Sequence, residues 1–445
     1  MDFATIIPQF GGLLWYIAAF VVALSVIVFV HEYGHYIVGR WSGIKAEVFS
    51  IGFGPVLLKR TDKHGTQWQV AALPFGGYVK FLGDASAASD KASDDYDDLD
   101  EDEKRHTMHG APLWARAATV AAGPAFNFIL SILVFSSMAL VQGTPKEPIE
   151  IGTLKPMPET VQALLPGDAI LAVGGAETSD YAGFFEAVRG LEIAETVSYE
   201  IERAGDAAKI DGPFPFPPMV DGLQAGSAAM DAGIEIGDVI TAIDGEKITA
   251  FKQMQDRVSA SDGRELTLDV WREGAEMQVT LAPRPVDLPT GDGGFETRWL
   301  VGITGGLLFT PATETPGLWE SAQYGAERTW FIVENSLSGL WHMVTGKIST
   351  CNLSGPIGIA EAAGDAASQG SDSFIWLIAV LSTAVGMLNL FPIPVLDGGH
   401  LTFHLYEAIT GRPPSDAALR VLMGVGLTLM LSLMVFALTN DLFCP

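Results

Sequence analysis

The sequence predicts a polytopic α-helical membrane protein with four transmembrane helices, a membrane-associated β-sheet loop and two α+β domains outside the membrane. Three observations carry that reading. Of 445 residues, 48% are hydrophobic and mean hydropathy is positive, which points to several membrane spans plus soluble material. Four stretches, about 13–38, 113–140, 372–391 and 417–438, are long and apolar enough to span a bilayer. Between the second and third, a strand-and-turn pattern occurs twice. The formal charge of -27 excludes nucleic acid as a partner, because such a binder needs a basic face.

The first segment, 1–40, carries the apolar run Leu13 to Val30. It has no basic region ahead of it and no small-residue cleavage site, so it reads as a retained helix and not as a signal peptide. The run leads directly into His31-Glu32-Tyr33-Gly34-His35. Positions i and i+4 share one face of a helix, so His31 and His35 can offer two imidazoles to a single Zn²⁺, with Glu32 beside the open position as general base. Two His and a Glu in an apolar helix are costly to bury unless paired, metal-bound or facing a wet cavity. The competing use is a helix-end His pair bonded to backbone.

The tail before this helix holds no Lys or Arg, whereas the loop 39–111 holds nine. The positive-inside bias therefore puts that loop in the cytosol, with both termini and the segment 141–371 outside. His31 precedes Arg40 by nine residues, about 13 Å at the helical rise, which sets the motif within the membrane on its cytosolic side.

Residues 41–83 hold IKAEVFSIGFGPVLLKR and TQWQVAALPFGGYVKFLG, β-branched and aromatic stretches punctuated by Gly and Pro. Gly52-Phe53-Gly54-Pro55 and Pro74-Phe75-Gly76-Gly77-Tyr78 are turn chemistry. Either this sheet dips into the membrane and offers an edge to a substrate strand, or it is an ordinary cytosolic hairpin. The acidic cytosolic loop follows at 84–111, with ten acidic side chains between 84 and 106. Such a run is expected to be solvated and disordered, and no chemistry is assigned to it. The second transmembrane helix is expected over 112–141.

Gly167-Asp168-Ala169-Ile170-Leu171-Ala172-Val173-Gly174-Gly175 recurs seventy residues later as Gly237-Asp238-Val239-Ile240-Thr241-Ala242-Ile243-Asp244-Gly245, each copy followed by a helical stretch. The copies, 145–212 and 213–288, resemble PDZ domains, whose strand-helix groove takes an extended peptide. They are either peptide-binding modules or rigid spacers. In 289–371, amphipathic interfacial helices and a linker are expected. Trp319, Trp330 and Trp341 recur there at steps of eleven, one stripe of a helix that lies at the outer membrane interface or packs on the repeat pair. Cys351 and Cys444 can form one disulfide if both lie outside the cytosol.

Catalytic zinc normally has three protein ligands plus water. The third candidate lies in the third transmembrane segment, 372–400, where Asn389-Leu390-Phe391-Pro392-Ile393-Pro394-Val395-Leu396-Asp397-Gly398-Gly399-His400 breaks an apolar helix with two prolines. Asp397 is either a ligand or the cap of the next helix. A fourth transmembrane helix is expected over 415–440.

HEYGH, GFGP, LPFGGYVK, AGPAFN at 122–127, the tandem repeat, LSGPIGIA at 353–360 and NLFPIPVLDGG, taken together and in this order, resemble the site-2 protease family, most closely its bacterial regulator-of-sigma-E protease branch. That resemblance implies an intramembrane zinc endopeptidase of the bacterial inner membrane. His31, His35 and Asp397 would ligate Zn²⁺ and Glu32 would activate water. Asn389, with Pro392 and Pro394 beside it, would hold the substrate near the metal, and the sheet with Gly52, Phe53 and Gly54 would present the unwound substrate strand. Implied partners are the lipid bilayer and single-pass membrane proteins already trimmed outside the membrane, such as anti-sigma factors, together with remnant signal peptides. The PDZ pair would act as a size filter or would read new peptide C-termini. Two competing functions are a non-catalytic PDZ-bearing membrane receptor or chaperone, and a soluble-type zinc protease tethered to the membrane.

Overall fold

The structure is a computed structural model that describes residues 3–84, 96, 99–158, 163–224, 226–289 and 295–443. The chain forms two compact units, one of 1–137, 322–340 and 353–444, the other centred on 138–321 with 341–352.

The first unit opens with helix α1 (Phe3–Trp41). Strands β1 (Ala46–Thr61) and β2 (Gln67–Phe81) follow, and each is folded back on itself. Residues 46–51 pair on one side with 77–81 and on the other with 67–70, while 56–61 pair with 67–71. Two long strands thus make a sheet of four segments, in the order 77–81, 46–51, 67–71, 56–61. The corners are the glycine motifs: Gly52, Gly54 and Gly76 have φ of +89°, +83° and +129°, values that L side chains rarely adopt. The sheet is held on α1 by aromatic packing, with Phe49 stacked on Trp68 at 4.3 Å and Tyr36 edge-on to Trp68 at 5.1 Å. Asp62 accepts hydrogen bonds from Trp68 Nε1 (3.0 Å) and the Tyr36 hydroxyl (3.2 Å).

Of the acidic run, 85–95 and 97–98 lie outside the described residues. The remainder corrects the expectation of disorder. Helix α2 (Glu101–Arg105) is capped by Asp100, whose carboxylate accepts from the Asp102 and Glu103 amides, and its charges run from acidic first turn to basic last turn. That order complements the helix dipole. Helix α3 (Leu113–Gln142) is the second long apolar helix.

In the second unit, β3 (Thr144–Pro145) and β4 (Ile151–Leu154) precede a four-stranded antiparallel sheet. It is built from β5 (Ala169–Val173), β6 (Ala176–Glu177), β7 (Thr196–Arg203) and β8 (Asp206–Pro213), ordered β6-β5-β7-β8. Helix α4 (Tyr181–Arg189), capped by Asp180, packs Phe184 and Val188 into a core with Ile170, Tyr199 and Ile201. The arrangement then repeats. After β9 (Val220–Leu223) and the short α5 (Ala228–Asp231) come β10 (Val239–Ile243), β11 (Glu246–Lys247), β12 (Leu266–Arg272) and β13 (Ala275–Leu281), ordered β11-β10-β12-β13. Helix α6 (Phe251–Ser259) buries Phe251, Met254 and Val258 against Ile240, Leu268 and Val270. Arg203 clasps Asp168 in the first copy and Arg272 clasps Asp238 in the second.

The expected helix-and-linker stretch from 289 begins instead with strands. A hairpin of β14 (Arg284–Pro289) and β15 (Phe295–Leu300) is followed by β16 (Ile303–Gly305), β17 (Phe309–Pro311) and β18 (Thr313–Glu314). These last three pair with β9, β4 and β3. Short strands earlier in the chain need partners for their main-chain groups, and this segment supplies them.

Helix α7 (Leu318–Val344) carries Trp319, Trp330 and Trp341, all exposed. Cys351 is disulfide-bonded, and Cys444 lies outside the described residues. The first unit then continues with α8 (Pro356–Gln369), α9 (Ser371–Asn389), α10 (Asp397–Thr410) and α11 (Asp416–Phe443). Among the described residues, four helices are long and apolar enough to cross a membrane: Gly12–Trp41, Leu113–Gln142, Ser371–Asn389 and Ala417–Phe443. The protein is a polytopic membrane protein with sheet-rich regions. Within the first unit, α3 and α9 are joined by buried hydroxyls. Ser131 Oγ donates to the Ala379 carbonyl (2.8 Å), and Ser382 Oγ donates to the Asn127 carbonyl (2.9 Å).

Candidate metal centre

Helix α1 presents His31 and His35 on one face, their Nε2 atoms 3.1 Å apart. The break between α9 and α10 delivers Asp397 to the same point, Oδ2 3.1 Å from His31 Nε2 and Oδ1 3.6 Å from His35 Nε2. Gly398 and Gly399 permit that approach: a Cβ on either would stand 2.3 Å from a carbonyl oxygen of the Leu390–Ile393 turn. Among the described residues, this is the one group of three or more His, Cys, Asp or Glu side chains whose ligand atoms converge, all within 4.8 Å of one another.

The residues fit zinc. Tetrahedral bonds of about 2.0–2.1 Å hold ligand atoms a little over 3 Å apart. Asp397 Oδ2 is buried, and among the described residues its near polar neighbour is the ring nitrogen of His31, with no aligned hydrogen bond to it, as expected of an oxygen reserved for a cation. His35 Nδ1 lies 2.8 Å from the Thr119 carbonyl. A carbonyl can only accept, so Nδ1 carries the proton and Nε2 keeps its lone pair toward Asp397. Gly123 makes room for both rings, since a Cβ there would lie 2.2 Å from His35 Nε2 and 2.8 Å from His31 Cε1.

A cavity of about 400 Å³ opens on this cluster, lined by Glu32, Asn389, Arg116 and, from β2, Gly77, Tyr78, Val79 and Phe81. Glu32 lies against β2 at this wall of the cavity. Gly77 lets β2 lie this close, since a Cβ there would be 3.2 Å from Glu32 Cγ and 2.8 Å from the Ser50 carbonyl. Among the described residues, the 77–81 segment pairs on one side only, with 46–51, and so leaves a strand edge at the cavity.

The other residues singled out from the sequence fall in three places. Asn389 lines the cavity and donates from Nδ2 to the Val385 carbonyl at 3.1 Å. Pro392 and Pro394 are not among the lining residues; they shape the turn, and Pro394 packs under Gly426 of α11. Gly52, Phe53 and Gly54 form the sheet corner and do not line the cavity themselves, but Phe53 stacks at 5.9 Å on Tyr78, which does. The strand edge at the cavity comes from LPFGGYVK and not from GFGP.

The profile of peptidase family M50 matches residues 19–433. The chain belongs to peptidase family M50, the site-2 proteases. It is similar to an Agrobacterium fabrum protein named as a zinc metalloprotease, 36% identical over 446 residues that cover 98% of each chain. A Brucella suis protein named in the same way is 37% identical, over 96% of this chain and 95% of its own. The regulator of sigma-E protease of Salmonella typhimurium is 32% identical, over 97% of this chain and 99% of its own. This M50 peptidase is a zinc metalloendopeptidase, with Zn²⁺ as its cofactor.

Several groups at the centre of the peptidase lie outside the ligand motifs. Thr119 contributes a main-chain carbonyl, which no side-chain pattern reveals. Gly123 and Asn127 belong to AGPAFN, whose in-helix glycine and polar residue were the available signal. Arg116 Nη2 pairs with Glu407 Oε1 at 2.6 Å, joining α3 to α10 beside the cavity.

Proposed function

We propose that the protein is an intramembrane zinc endopeptidase of a bacterial inner membrane that cuts the transmembrane segments of single-pass proteins already trimmed outside the membrane. The observation that carries this reading is the convergence of His31, His35 and Asp397 beside Glu32, on or next to helices apolar enough to cross a membrane. In this reading His31, His35 and Asp397 hold the metal. When bound, zinc supplies Lewis acidity that polarises the scissile carbonyl and acidifies water. Glu32 takes the proton from the attacking water and passes it to the leaving amine.

A helical substrate hides its carbonyls in i to i+4 bonds, so it must unwind before it can be cut. The 77–81 edge of β2 offers main-chain partners to the unwound strand, which is then recognised by strand addition. Asn389 stands at the cavity wall where it can hold that strand. The two α+β repeats, joined by the returning strands β16, β17 and β18, serve as PDZ-like modules on the outer side. There they act as a size filter or receive the trimmed ends of substrates. Anti-sigma-factor-like proteins and remnant signal peptides are the substrate classes this family membership favours, in keeping with the name of the Salmonella relative.

The test is reconstitution in liposomes with a single-pass substrate, supplied with and without its outer domain, and mass-spectrometric mapping of the products. Cleavage inside the apolar segment of the trimmed form alone is expected. A cut confined to residues outside the apolar segment would contradict the reading.

A further inference from the structure

Asn127 of α3 is fully buried, and its main-chain carbonyl already accepts from Ser131 Oγ and Ser382 Oγ. Its side-chain amide lies against the metal cluster, with Nδ2 3.2 Å from His31 Nδ1. The other end of the amide, Oδ1, is buried and has no hydrogen-bond partner. A buried amide oxygen without a donor is costly, and the arrangement across from it is equally informative. If the amide donates to His31 Nδ1, the neutral imidazole must carry its proton on Nε2, the atom that faces Asp397 and His35. That tautomer cannot ligate a metal through Nε2.

Turning the amide end for end gives Oδ1 a donor and removes the conflict at His31. Oδ1 then takes the place of Nδ2, gains a donor in His31 Nδ1–H, and leaves the Nε2 lone pair facing the cluster. His35 already has this arrangement, with the Thr119 carbonyl as its acceptor. We propose that Asn127 is the positioning residue that selects the ligating tautomer of His31, presenting Oδ1 to His31 Nδ1–H in the zinc-loaded protein. The inference rests on His31 being a zinc ligand. It also accounts for AGPAFN as a unit: Gly123 clears the two rings, and Asn127, one turn on, orients one of them. Gly386 of α9 keeps that turn close, since a Cβ there would lie 3.2 Å from Asn127 Cβ.

The experiment is zinc affinity, by competition with a soluble chelator, of the full-length protein in detergent, with the melting temperature of the metal-free form as a fold control. Asn127→Leu, which cannot accept, should bind zinc about 10–100-fold more weakly with an unchanged metal-free melting temperature. Asn127→Asp, which can only accept, should bind as tightly as wild type or more so. Wild-type affinity in Asn127→Leu would overturn the proposal. So would an Asn127→Asp protein weaker than wild type, and this second comparison stands even if the leucine variant does not fold. Failure of the underlying ligand assignment looks different: His31→Ala would then bind zinc as tightly as wild type.

Discussion

His31 Nε2 and Asp397 Oδ2 lie 3.1 Å apart, although one belongs to α1 and the other to the start of α10, just after the break that ends α9. Neither segment can hold a cation alone. Helix α1 packs directly on α9 through Ala23, Ile27 and Ile378, and α3 braces both, against α1 through glycines and against α9 through Ser131 and Ser382. Removing the carboxylate while keeping the volume tests its share. Asp397→Asn should lower zinc affinity by at least 10-fold, because the neutral amide is a poorer ligand and cannot balance the cation's charge. Chelator competition on the purified protein measures this directly.

Glycine substitutions in the membrane helices should divide sharply by position. A Cβ on Gly34 would stand 2.5 Å from the Ala122 carbonyl, and neither backbone can yield. Gly34→Ala should therefore cost about 1–3 kcal/mol of stability through overpacking. Gly424→Ala in α11 meets nothing within 4 Å and should leave the melting temperature unchanged or slightly raised. Thermal unfolding in one detergent compares the two.

Gly123→Ala should separate metal binding from folding. Its methyl group would press on the flexible imidazoles and not on backbone, with His35 Nε2 2.2 Å away. The fold should survive while zinc content and cleavage are lost together. Metal analysis beside a circular-dichroism spectrum shows whether they part as expected.

The first repeat carries a pH dependence of its own. Burial pushes the Asp168 carboxyl up, but hydrogen bonds from Arg203 and the Leu165 amide, with the Arg203 charge, outweigh it and hold the group below the usual carboxylate range. A carboxyl with a lowered folded pKa stabilises the fold above its unfolded pKa of about 4. That contribution is lost as the pH falls through the folded value. Melting temperature should drop on acidification below about pH 4, and Arg203→Met should both lower it at neutral pH and flatten the acid limb. Differential scanning fluorimetry across pH 3–7 follows the two proteins.

Much of the metal centre could be read from the chain because its chemistry is local. His31, Glu32 and His35 fall within five residues whose helical spacing dictates a shared face, and Asp397 follows a proline-broken apolar run that could not continue as a helix. The membrane helices were equally legible, since length and apolarity are sums over a window. Long-range pairing was not. Strand composition marked 44–82 as sheet but could not reveal that β1 folds back to pair on both sides, which makes 77–81, and not the Gly52–Gly54 corner, the edge at the cavity. The strands of 295–314 are short, and their partners lie up to 170 residues earlier, as for Glu314 and Thr144. Pro392 and Pro394 were rightly marked as a break, yet their rings shape the turn and leave the cavity wall to Asn389, Val395 and Leu396.

The most direct measurement is zinc content together with cleavage of a model single-pass substrate, comparing wild type with Glu32→Gln in liposomes. One zinc per chain in both proteins is expected, with cleavage by the variant reduced by about 10²–10⁴-fold or more because the amide cannot accept the proton. Cleavage by Glu32→Gln at the wild-type rate, or the absence of zinc from both proteins, would contradict the account.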